Sequence, residues 1–86
     1  MKVRLDSGED ALARNFDGAV LNLLSPRAFA PGAPLRFSAA ADDGTRRFEG
    51  RAIGSKRVED GHFDVRLRFV NLRRADRDFL AERLEN

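Results

Sequence analysis

Cysteine, tryptophan and tyrosine are absent from this sequence, and histidine and methionine occur once each. Without cysteine there is neither a disulfide framework nor a thiolate metal site, so an apolar core must hold the fold. The lone His62 beside the Asp60-Gly61 pair reads as a surface residue, because a metal centre needs several ligands converging. With no tryptophan or tyrosine, and phenylalanines mostly at inward positions, there is no aromatic platform for single-stranded nucleic acid. No stretch approaches the ~20 apolar residues that cross a bilayer. The opening MKVRLDSGED lacks the apolar middle of a secretory signal, so a cytoplasmic protein without membrane insertion is expected.

Chemistry-bearing motifs are equally scarce. Ser7, Ser25, Ser38 and Ser55 lie in turn or strand contexts, none in a nucleophile elbow. GRAIG, Gly50 to Gly54, lacks the lysine and following helix of a phosphate loop. Glu82 and Glu85 read as solvated charges rather than a catalytic pair. Neither an enzyme nor a cofactor is expected.

What is present suits one small folded domain spanning 1–86. The chain is 42% apolar and 35% charged over 86 residues, with a net charge of +2, a balance typical of globular rather than disordered chains. The positive excess is local. From Arg46 to Arg68 there are seven basic residues against four acidic ones, a mildly basic face of the kind usually left to solvent. Nucleic-acid binding through Arg47, Arg51, Arg66 and Arg68 would weaken steeply with salt, and no nucleic-acid partner is expected.

The clearest pattern runs from His62 to Leu84. Phe63, Val65, Leu67 and Phe69 alternate with Asp64, Arg66 and Arg68, the period of a half-buried strand. The period then lengthens to that of a helix, with Leu72, Ala75, Phe79, Leu80 and Leu84 on one face and Asn71 placed as an N-cap. Upstream, Val3 and Leu5 alternate with Lys2 and Arg4, Ala11 to Phe16 forms a second strand, and Ala19 to Leu24 a third. Pro31-Gly32 suits the centre of a type II turn, after a connection from Ser25 to Ala30. Leu35 and Phe37 mark a fourth strand and Arg46 to Ile53 a fifth. Glycine within a strand marks a bulge or a close backbone approach, and Ile53 breaks the alternation, which places a bulge near Gly54. Asp60-Gly61 suits a two-residue type I′ hairpin, setting Val58 opposite Phe63 and Arg57 opposite Asp64.

Six short strands and a terminal helix leave sheet edges to be managed. Closure into a small antiparallel barrel removes them, with Phe79, Leu80 and Leu84 laid over an open end or side.

On these elements the chain from about Val3 to Leu84 resembles a PilZ domain. The matching pieces are GAVLNLL (Gly18 to Leu24), APGAPLRF (Ala30 to Phe37), FEGRAI (Phe48 to Ile53) and RLRFVNL (Arg66 to Leu72). The resemblance implies a mainly β fold, a six-stranded antiparallel barrel with a C-terminal helix. Members of that family typically bind cyclic di-GMP through an RxxxR segment ahead of the first strand and a [DN]xSxxG turn. Guanidinium groups pair with the phosphates and stack on guanine, while the turn's short side chains hold a guanine edge.

Here both motifs are degraded. Aligning Gly18 with the motif glycine puts Ala13 at the acidic position and Asn15 at the serine position. Lys2 and Arg4 supply charge without RxxxR spacing, and Arg73 to Arg77 has that spacing within the C-terminal helix, as an ordinary i, i+4 pair. Each charged hydrogen bond lost costs about 1.5–3 kcal/mol, so the dinucleotide is not expected to bind well. The resemblance then implies a non-catalytic protein-interaction module of bacterial signalling, motility or polarity, with protein partners. Its candidate contact residues are Arg47, Arg51, Arg66 and Arg68 on the outer face. Two other surfaces are candidates: the helix side with Arg73, Arg74, Arg77 and Arg83, and the Ser25–Ala30 loop with Phe29 exposed. The alternative is a cyclic di-GMP receptor with a non-standard site of Lys2, Arg4, Arg14, Asn15 and Gly18.

Overall fold

Alternation on six strands gives the barrel its inside and outside. A computed structural model describes residues 1–84; Glu85 lies outside the described residues. The strands are β1 (Lys2–Leu5), β2 (Asp10–Phe16), β3 (Val20–Ser25), β4 (Pro34–Ala41), β5 (Gly44–Arg57) and β6 (Phe63–Phe69), followed by helix α1 (Arg74–Arg83). Every pairing is antiparallel, and the order β1-β2-β3-β6-β5-β4 closes on itself through β4 and β1. The expected barrel is therefore the observed one.

Inward positions are filled in the small-and-large mixture that a narrow barrel requires. Ala11 and Ala13 of β2, poor β formers by propensity, are buried because space inside the barrel is scarce. Leu21, Leu23, Val65 and Leu67 are fully enclosed between the paired β3 and β6. Strand β5 is longer than its alternation suggested, since it continues to Arg57 beyond a register shift between Ala52 and Gly54. That is the bulge expected near Gly54. Gly50 has the other role glycine plays in a strand: a Cβ there would run into the Arg68 carbonyl oxygen and the Leu67 side chain.

The helix covers one mouth of the barrel. Phe79, Leu80 and Leu84 are buried, and Phe79 continues a cluster in which Phe37 stacks on Phe48 at 5.0 Å and Phe16 meets Phe69 edge-on at 5.8 Å. Arg46 ties β5 to the helix through Asp76 at 2.8 Å. Two expectations about this segment are corrected. Asn71 is not the N-cap; that position falls to Arg73, with no side-chain capping bond, and Asn71 instead takes φ 53°. Asparagine tolerates that left-handed conformation, and there it turns the chain out of the strand. Ala75 is exposed rather than buried.

The opposite mouth is closed by polar contacts. Ser25, fully buried at the end of β3, donates to the Arg27 carbonyl at 2.8 Å and accepts from the Arg27 N–H at 3.1 Å. The Ser55 hydroxyl bridges the Phe29 N–H and carbonyl, both at 2.8 Å. Phe29 is consequently half-buried against the core, not exposed. Ala33 N–H to Ala30 O at 2.9 Å, with Gly32 at φ 84°, gives the expected type II turn. The β5–β6 hairpin differs by one residue from expectation. Asp60 and Gly61 do take positive φ, 63° and 71°, but Glu59 is an extra residue in the loop. Arg57 therefore faces Phe63, and Lys56 rather than Arg57 faces Asp64.

Candidate functional site: an unneutralised arginine face

Cross-strand register decides which surface charges meet. On β5 and β6, Arg51 lies directly opposite Arg68, while Arg66 is two residues along β6, opposite Gly54 at the bulge. All three side chains point outward and are exposed. Like charges directly opposed on a sheet destabilise it, by up to about 1 kcal/mol. Arg47 is on the same outer side of β5, four residues before Arg51, roughly 13 Å away by strand rise. The expected set thus resolves into a cluster of three and one outlier.

Among the described residues, none of Arg47, Arg51, Arg66 and Arg68 has a carboxylate oxygen within 4.0 Å. Arg51 makes one long bond, from Nη1 to the Gly32 carbonyl at 3.3 Å. Arg68 pairs in register with Val20, beside the β2–β3 turn. In that turn the Asp17 carboxylate accepts from the N–H groups of Val20 at 2.8 Å and Ala19 at 2.9 Å. Those two backbone bonds, Val20's first, hold its pKa below the ordinary value, with Arg68 adding a smaller Coulombic pull. Asp17-Gly18 is thus a hairpin turn closed on its own side chain, with Gly18 at φ 99°.

The alternative ligand set does not gather at one place. Lys2 and Arg4 both serve Asp10, at 3.3 and 3.6 Å. Arg14 occupies the register shift of β2 between Ala13 and Asn15 and lines a separate groove with Leu24, Val58 and His62. Asn15 pairs with Asn22 across β3, and Gly18 sits at the hairpin tip. Of the helix arginines, Arg83 is absorbed structurally: its guanidinium lies 3.8 Å from the Phe79 ring centroid and donates to the Phe79 carbonyl. Arg73, Arg74 and Arg77 remain exposed.

Sequence reasoning missed Asp10 as the neutraliser of β1 and Ser55 as the clamp on Phe29, because both roles depend on register. Among the described residues no group of three or more histidines or carboxylates could hold a metal ion, and no helix is long and apolar enough to cross a membrane. Comparison with protein-family models, with characterised proteins and with solved structures found no match to this chain.

Proposed function

We propose that this barrel is a non-catalytic, PilZ-like protein-interaction module of bacterial signalling, motility or polarity, working in the cytoplasm without cyclic di-GMP. The observation that carries the reading is the juxtaposition of Arg51 with Arg68, and of Arg66 beside them, with no carboxylate within 4.0 Å among the described residues. A fold gains nothing from opposed cations. A partner bearing carboxylates gains charge-assisted hydrogen bonds from them, bidentate where the planar guanidinium fork allows.

Two further features support the loss of the dinucleotide. Lys2 and Arg4 are occupied with Asp10, and the turn that ends in Gly18 has Ala13 at the motif's acidic position and an Asp17 carboxylate spent on its own backbone. A receptor with a non-standard site is the second reading, favoured only by the nearness of Arg68 to the Asp17-Gly18 turn. Calorimetric titration of the purified domain with cyclic di-GMP separates the two. No saturable heat at tens of micromolar is expected; saturation in the low micromolar range would replace the proposal with the receptor reading.

A further inference from the structure

Strand β5 outruns its neighbour. Ahead of the bulge, from Thr45 to Arg51, its odd-numbered residues direct their backbone groups away from β4 and toward β6, as the bond from Val70 N–H to Glu49 O at 3.2 Å makes plain. Were β6 to continue in register, Leu72 would face Arg47 and Arg74 would face Thr45. It does not continue, because Asn71 at φ 53° takes the chain off the ladder and into the helix. The outward N–H and C=O groups of Thr45 and Arg47 are therefore left without a strand, and both residues are exposed. Unpaired strand edges are templates for another chain unless they are blunted.

What flanks this edge is a groove of about 360 Å³ whose walls include Arg47, Glu49, Val70, Leu72, Arg73 and Asp76. Its two carboxylates are already occupied, Glu49 by Arg36 at 3.4 Å and Asp76 by Arg46 at 2.8 Å. Its two outer arginines, Arg47 and Arg73, have no carboxylate within 4.0 Å among the described residues. Val70, 47% exposed, offers an apolar contact beside them. We infer that the Thr45–Arg47 edge of β5 accepts an extended, acidic segment of a partner protein by strand addition, with Arg47 and Arg73 pairing its carboxylates. Strand addition draws affinity from main-chain bonds and selectivity from alternate side chains. The inference rests on the interaction reading above and adds where the partner lies and what chemistry it presents.

The test uses the full chain, isotopically labelled, titrated with a blocked Glu-Val-Glu-Val-Glu-Val peptide and with its Lys-for-Glu counterpart. Saturation by the acidic peptide should slow amide exchange at Thr45 and Arg47 by about tenfold or more, and the basic peptide should leave both unchanged. Arg47→Pro removes only an outward N–H and no bond to β4, so it should abolish the protection at Thr45, the reporter amide that remains. Should that variant fail to fold, Arg47→Glu keeps the N–H and should weaken binding about tenfold or more. Binding without protection of these two amides, or no saturation by millimolar peptide, overturns the proposal. So does protection that rises with protein concentration alone, which would make a second copy the occupant. Capture of a partner that depends on Arg66 and Arg68 while the edge stays unprotected would leave the module reading standing and remove this one. An edge protected by the peptide, with no such capture, would do the reverse.

Discussion

The two sides of the barrel's outer surface carry similar side chains and treat them in opposite ways. On the side of β1, β2 and β4, Lys2 and Arg4 share Asp10, and Arg36 of β4 reaches Glu49. On the side of β5 and β6, Arg51 faces Arg68, and among the described residues neither has a carboxylate within 4.0 Å. Exposed ion pairs contribute only about 0.2–1 kcal/mol each, so the paired side is hardly an investment in stability. Its effect is to silence charge. The unpaired side leaves arginines available to something outside the chain, and on that contrast, more than on the modest net charge, the proposal of a binding function rests.

The largest expected effect concerns the seam on which the contrast is built. Gly50→Ala would drive a methyl into the Arg68 backbone and the Leu67 side chain, spreading β5 from β6 and pulling Arg51 off Arg68. Denaturant unfolding should register a loss of about 3 kcal/mol, the upper range for overpacking against atoms that cannot rotate away. Gly54→Ala, where nothing lies within 4 Å, should stay within about 0.5 kcal/mol of the parent.

Charge reversal should then have opposite signs on the two sides. Arg51→Glu converts an opposed like pair into a cross-strand ion pair and should raise stability by about 0.2–1 kcal/mol. Asp10→Lys strands Lys2 and Arg4 beside a third cation and should lower it by a similar amount. Equal signs in the two melts would break the comparison.

The smallest effect is in acid. Because the Val20 and Ala19 N–H groups hold the Asp17 pKa below its ordinary value, the stability it contributes is fully present above the ordinary carboxylate range and is lost as pH falls through the lower folded value. Replacing Asp17 by Asn should remove that part of the acid dependence, visible as a flatter stability profile below about pH 4.

Much of the barrel was legible because alternation writes burial directly into sequence: Phe63 to Phe69 and Leu35 to Phe37 needed no neighbours to be read. The bulge near Gly54 was legible from the break at Ile53. Register was not. One extra residue, Glu59, shifted the β5–β6 hairpin, and no local signal distinguishes a two-residue type I′ loop from the same turn with a residue added. Asn71 was misread for a related reason, since the side chain that suits an N-cap also suits a left-handed φ. The arginine face was legible as a list but not as an arrangement. Pairing across strands joined Arg51 to Arg68 and left Arg47 at the open edge, and the silencing of Arg4 by Asp10 belongs to the same unread register.

The central claim, that the unpaired arginines hold a protein partner, is tested most directly by affinity capture with the parent domain and the Arg66→Glu/Arg68→Glu double variant side by side. The melting temperatures should agree to within about 5 °C, while a partner retained by the parent should be missing from the variant. The same partner recovered equally by both, at equal folding, would contradict the claim.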